Sequence, residues 1–226
     1  MSRSTSVILF DFGGTLDAAG VTWKDRVFSL YRREGVDVAS DRFDPVFYRA
    51  DDGLVGTIAP TLSFAETVRQ LVARVSAGLG VADDRLSARV AERFIRAARV
   101  AVAANAPLLS RLARDYRLGV VSNFYGNLET VCDDLGLRPL FRAIIDSACV
   151  GCTKPDPRIF QSALTAVGAE ASAATFVGDS PSRDMAGARD VGMPHVWLVP
   201  SGDHAPPCCP NDPVVRSLDE LPGVLA

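Results

Sequence analysis

No apolar run in this chain is long enough to cross a bilayer, and the opening MSRSTS is polar, without the apolar stretch that directs secretion. Cytoplasmic residence is the expectation. A basic excess is also missing: 24 Lys and Arg against 27 Asp and Glu leave a net charge of −3, so neither nucleic acid nor an anionic membrane is an expected partner. Histidine is scarce. His195 sits in a strand-like run and His204 in a proline-rich stretch, neither beside a metal-ligating neighbour, which points to structural or surface roles. Five cysteines, an odd number in 226 residues, argue against a secreted disulfide scaffold. Cys149 and Cys152 can be joined on paper with Cys208 and Cys209 into a four-thiolate zinc site. Vicinal cysteines chelate awkwardly, so reduced thiols are the plainer reading. Internal repeats and low-complexity tracts are absent as well. What remains is ordinary globular composition, 48% hydrophobic and 23% charged, in a length that holds one core domain with a smaller insertion.

The chain is organised around residues 7–17, VILFDFGGTLD. Four apolar residues run into Asp11 and then into two glycines, as expected of a fully buried parallel strand ending in a sharp turn. Asp11 is thereby expected at the carboxyl edge of a central strand, where open α/β sheets bind ligands. Next comes a stretch without strand-like alternation. Helices are expected over 23–34, over 43–49 with Asp44-Pro45 as its start, over 64–79 with Val68, Leu71, Val72 and Val75 on one face, and over 83–104. From Pro107 onward strands and helices alternate: strands at 118–122, 143–146, 175–179 and 195–199, helices at 108–116, 127–135, 157–167 and 183–191. Residues 200–213 read as a loop and 218–225 as a last helix. The expected fold is α/β, a doubly wound, Rossmann-like parallel sheet. Residues 1–17 and 105–226 would form this core, with 18–104 a separate helical unit.

Three apolar strands end in polar groups: Asp11, Ser122-Asn123, and Gly178-Asp179. In a parallel sheet these ends share one edge and converge on one crevice. Asp184 opens the helix after Asp179. Carboxylates meeting there would repel one another unless a cation neutralised them, and oxygen ligands of this kind suit Mg²⁺. Lys154, in the rigid turn Lys-Pro-Asp-Pro, would stand beside that cluster and suggests an anionic substrate, phosphate above all.

These motifs, in this order, resemble the four signatures of the haloacid dehalogenase (HAD) superfamily, in its helical-cap subfamily I. DFGGT resembles the first signature, Asp-x-Asp-x-Thr, with Gly13 in place of the second aspartate. VVSNF, KPDPRIF and GDSPSRD supply the other three. The resemblance implies that Asp11 is a nucleophile forming an aspartyl-phosphate. It further implies that Ser122, with Asn123, and Lys154 hold the phosphoryl group. Asp11, the Gly13 carbonyl, Asp179 and Asp184 would hold Mg²⁺. Residues 18–104 would be a cap that selects a small phosphorylated substrate, in a monomer or homodimer. The substituted aspartate is the family's general acid/base, a function commonly worth about 10²–10⁴ in rate. Asp17 could replace it only if the turn folds back.

The leading expectation is a phosphatase favouring good leaving groups, such as acyl or aryl phosphates. One alternative is a haloacid dehalogenase, against which stands Asp179, a serine in that branch. Another is a phosphonatase, for which Lys24 would be the sole cap lysine. A third is a pseudoenzyme binding a phosphorylated ligand or a protein partner. The cap arginines Arg32, Arg33, Arg49, Arg96 and Arg99 read as solvent-facing. Trp23 reads as a hinge anchor, and Cys149 and Cys152 as packed thiols.

Overall fold

The computed structural model describes residues 5–202 and 212–225. The polypeptide runs β1 (Val7–Phe10), α1 (Trp23–Arg33), α2 (Ser40–Asp52), α3 (Phe64–Leu79), α4 (Asp84–Asp115), β2 (Arg117–Ser122), α5 (Leu128–Asp134), β3 (Ala143–Asp146) and α6 (Ser147–Val150). It continues through α7 (Pro157–Val167), β4 (Ala174–Gly178), α8 (Ala186–Asp190), β5 (His195–Leu198), β6 (Val214–Val215) and α9 (Leu221–Val224). The six strands form one sheet in the order β3-β2-β1-β4-β5-β6, every pair parallel. This is the expected Rossmann-like α/β fold.

The continuous apolar reading of β1 is explained by its place. All four residues are fully buried, because β2 and β4 flank it and helices cover both faces. Side chains alternate: Ile8 and Phe10 pack with the α4 side, while Val7 and Leu9 pack with Ile159, Phe160 and Ala163 of α7. The register pairs Phe10 with Val120 and with Val177, so Asp11, Ser122 and Asp179 emerge together at the carboxyl edge.

The helix over 64–79 forms as expected. Ser63 and Glu66 close a reciprocal cap at its start, Gly80 ends it in a left-handed conformation, and its four named apolar residues are buried. Two helices depart from expectation. α2 begins at Ser40 rather than Phe43 and encloses Pro45. Phe43 and Phe47 both bury from it, and that stripe extends the helix past the proline. Helices expected at 83–104 and 108–116 are instead one helix of 32 residues passing through Pro107. An interior proline costs about 3 kcal/mol. Burying Leu108, Leu109 and Leu112 contributes roughly 1.5–3 kcal/mol each, so packing outweighs the missing hydrogen bond. A third departure is the helix expected over 183–191, which is divided into a wide turn at Pro181–Met185 followed by α8. Among the described residues no helix is long and apolar enough to cross a membrane. Cys208, Cys209, His204 and most of the expected 200–213 loop lie outside the described residues.

Candidate active site

Asp11 follows β1 directly, and its backbone N–H donates to Val177 of β4 at 2.9 Å. Its carboxylate is buried and takes two donors on one oxygen. Ser122 Oγ donates to Oδ1 at 2.8 Å and Lys154 Nζ lies 2.6 Å from the same atom. Lys154 Nζ also stands 2.6 Å from Asp184 Oδ1. Burial alone would depress this ammonium's pKa, but the Asp11 and Asp184 carboxylates more than offset that and hold it above the usual lysine value. Lys154 is therefore a fixed cation.

The turn that presents this lysine, including a cis Lys154–Pro155 peptide, is clamped by Asn123. Lys154 N donates to Asn123 Oδ1 at 2.7 Å, and Asn123 Nδ2 donates to the Lys154 carbonyl at 3.1 Å. Asn123 lines the cleft, yet its amide spends both kinds of hydrogen bond on positioning Lys154 rather than facing a ligand with them.

Asp179 and Asp184 come from the β4 edge and the turn after it. Thr15 Oγ1 donates to Asp179 Oδ1 at 2.9 Å, and Trp197 Nε1 of β5 donates to the Asp179 carbonyl at 3.0 Å. Ser180 N donates to Asp184 Oδ2 at 3.0 Å. Gly14 makes this packing possible: its φ is +98°, and a Cβ there would lie 2.5 Å from Asp179 Oδ2. Burial, then repulsion from Asp11 and Asp184, pushes the Asp179 pKa well above the ordinary carboxylate range. Asp184 is raised to about 6, by burial first, against the pull of Lys154.

The charge balance shows what the cluster fits. One oxygen from each of Asp11, Asp179 and Asp184 lies within 4.8 Å of the others, and all three residues are buried. Three carboxylates and one lysine leave two negative charges in a confined site. A divalent cation with a preference for oxygen ligands matches that donor set, and Mg²⁺ is such an ion. Gly13 lines the same cleft.

Asp17, the nearest alternative acid by sequence, does not reach the cleft. It is buried beneath the turn, with Oδ1 accepting from Gly14 N at 2.8 Å and Oδ2 from Trp23 Nε1 at 2.8 Å and Arg26 Nη1 at 2.7 Å. The turn does fold back, but onto a structural triad. Trp23 both anchors α1 through this bond and lines the cleft. Its indole also fills the space beside Gly13, where a Cβ would stand 3.1 Å from Nε1. Lys24 lines the cleft too. Hydrogen bonding to Asp44 raises its pKa, the opposite of what a Schiff-base amine needs.

The cleft measures about 360 Å³ and opens between the sheet edge and helices α1 and α2. The haloacid dehalogenase-like hydrolase family model matches residues 5–192. The chain belongs to this family. Haloacid dehalogenase-like hydrolase domain-containing protein 3 of Bos taurus is 37% identical over 149 residues, 63% of this chain and 56% of that protein. The chain spans about half the length of these curated relatives. Phosphoserine phosphatase of Thermus thermophilus is 44% identical over 63 residues, 28% of this chain and 25% of that one. Among solved structures, the putative HAD-hydrolase YfnB of Bacillus subtilis, bound to magnesium, superposes with a TM-score of 0.60 at 21% identity, covering 99% of both chains. At that identity the likeness speaks for the fold.

Sequence reasoning missed Thr15 and Trp197, which orient Asp179, and Asp51, Tyr125 and Arg183, which line the cleft. Thr15 stands inside the first motif and was findable. The others meet the site only through tertiary packing. His195, far from this edge at the start of β5, is held between Asp212 and the Met193 carbonyl, a structural role as expected.

Proposed function

We propose that this HAD-like hydrolase is a Mg²⁺-dependent phosphatase acting on a small phosphorylated metabolite, with residues 18–104 serving as its cap. The observation that carries the reading is the position of Lys154 and Ser122, both on Oδ1 of Asp11. That leaves Oδ2 as the oxygen to attack phosphorus. The new Asp11–phosphorus bond forms as the bond to the leaving oxygen breaks, giving an aspartyl-phosphate that water then hydrolyses. Lys154 neutralises nucleophile and phosphoryl charge in a buried setting, where a fixed cation acts most strongly. Ser122 keeps the carboxylate from rotating. Asp11, Asp179, Asp184 and the Gly13 carbonyl would hold Mg²⁺, which supplies charge neutralisation at the phosphoryl oxygens. The phosphatases among its relatives support this substrate class over a halide-releasing one.

With glycine at position 13, the leaving oxygen receives no proton from that residue. The test is phosphate release from acetyl phosphate and from an alkyl phosphate, with Mg²⁺ and with chelator, Asp11→Asn serving as control. Metal-dependent turnover of acetyl phosphate, lost in the control, is the expected result. No turnover of either substrate at any Mg²⁺ concentration would overturn the reading.

A further inference from the structure

Five carboxyl groups line the cleft among the described residues: Asp11, Asp25, Asp51, Asp179 and Asp184. Three are the nucleophile and cation cluster. Asp25 is exposed in the first turn of α1, tied to Thr22, whose hydroxyl caps the helix, and to Lys24. Asp51 is different. It comes from the last turn of α2, stands half-buried at the cleft wall, and receives a short hydrogen bond on Oδ1 from the hydroxyl of Tyr125, beyond the end of β2. A Cβ at position 13 would press on the Trp23 indole at 3.1 Å, and Asp17 is locked in its own triad.

We propose that Asp51, presented by α2 and oriented by Tyr125, is the proton donor and acceptor that stands in for the missing residue at position 13. This rests on the phosphatase reading. As Asp11 Oδ2 bonds to phosphorus, the bond to the leaving oxygen breaks. That oxygen keeps the bonding pair and takes the proton from Asp51 Oδ2. Asp51, now a carboxylate, then accepts a proton from the water that attacks the aspartyl-phosphate. The Asp11–phosphorus bond breaks, inorganic phosphate leaves, and both aspartates return to their starting states.

The surroundings favour this cycle. Burial raises the Asp51 pKa, and Asp52 on the same helix adds to the rise, while the Tyr125 hydrogen bond and the Arg183 charge oppose it. Tyr125 is fully buried in a site that pushes its own pKa well above 10, so the phenol keeps its proton and remains the donor to Oδ1. Oδ2 is thereby left for exchange with substrate. A proton carrier presented by α2 also tolerates glycine at position 13.

The experiment compares kcat/KM for 4-nitrophenyl phosphate and an alkyl monophosphate in wild type, Asp51→Asn and Tyr125→Phe, all with Mg²⁺. kcat/KM reports the first chemical step, in which only the poor alkoxide leaving group needs a proton. Asp51→Asn is expected to lower the alkyl value by about 10²–10⁴-fold, raising the aryl-to-alkyl ratio by at least about 10². Because hydrolysis also loses its base, nitrophenol should appear as a burst equal to the enzyme present. Tyr125→Phe should shift the ratio in the same direction by less. The aryl substrate reports folding, so equal losses on both substrates mark a structural role and overturn the assignment. No loss on either does the same. A wild-type protein that turns over acetyl phosphate but neither of these esters overturns this proposal and leaves the phosphatase reading standing, whereas one inactive on all three overturns both.

Discussion

Replacing Asp17 by asparagine changes almost no volume and removes one buried charge. The carboxylate accepts three hydrogen bonds, from Gly14, Trp23 and Arg26. An asparagine has one oxygen to offer. If its amide nitrogen takes the place of Oδ2, it faces two donors, the Trp23 indole and the Arg26 guanidinium; if it is flipped, it faces the Gly14 N–H. Either orientation sets donor against donor. Arg26 then keeps its charge without a counter-charge, in a pocket where its guanidinium lies 3.9 Å over the Phe94 ring and Nη2 already has no partner. Removing one member of a buried pair costs about 3–5 kcal/mol. Against a total stability of roughly 5–15 kcal/mol, that is a large fraction.

Urea unfolding should show the Asp17→Asn midpoint falling steeply with an unchanged slope, the mark of lost stability rather than an altered denatured state. Adding Arg26→Met removes the stranded charge and should recover part of the loss, since deleting both partners is milder than deleting one. Below its melting temperature the single variant should retain acetyl phosphate turnover. A variant of normal stability without activity would refute the structural assignment and return Asp17 to the chemistry.

Three further outcomes are expected. Lys154→Met should lower acetyl phosphate turnover by about 10²-fold or more, because the nucleophile loses its fixed cation; isotope-labelled phosphoenzyme trapping checks this. Gly13→Asp should fail to raise alkyl phosphate turnover above wild type and should cost about 1–3 kcal/mol by thermal melting, since its Cβ meets the Trp23 indole at 3.1 Å. In metal-free protein, Asp184 binds its proton more tightly when folded, with a pKa of about 6 against 3.8 for the free side chain. Its contribution therefore falls as pH rises from about 4 to about 6, by up to roughly 1.4 kcal/mol per unit, and is flat above that window; denaturation at several pH values with and without Mg²⁺ should show the metal removing the slope.

The parts legible in the sequence are those whose causes are local. β1 reads as a buried strand because both faces are apolar, and α3 reads to the residue because its cap and its glycine stop are short-range signals. Asp11, Ser122 and Asp179 follow from strand ends sharing one edge, and Lys154 and Asp184 from the motifs that resemble the family's signatures. Pro107 misleads for a physical reason. Its local cost is real, but three leucines beyond it bury against the sheet, a gain that no window of sequence contains. Asp51 and Tyr125 are 74 positions apart, on a helix and a loop, and only the packing of α2 over the sheet edge brings them together.

Position 13 shows most clearly how a sequence and a structure differ in what they can say. In the sequence, set beside the signature it resembles, Gly13 stands where a carboxylate is expected. Such an absence fits decay, altered chemistry or replacement equally well. In the structure the same position is occupied by something else. The Trp23 indole lies 3.1 Å from where a Cβ would stand, and it is held there by Asp17, itself locked by Gly14 N and Arg26. Simple decay would leave a hole beside the nucleophile, because a deleted side chain is not refilled unless neighbours are built to reach it. Here glycine, tryptophan, aspartate and arginine form one interlocked unit, and reversing any one of them alone strains the others. The wall next to Asp11 is built around the glycine, and in the proposed cycle the proton for the leaving group comes instead from α2, where Asp51 stands.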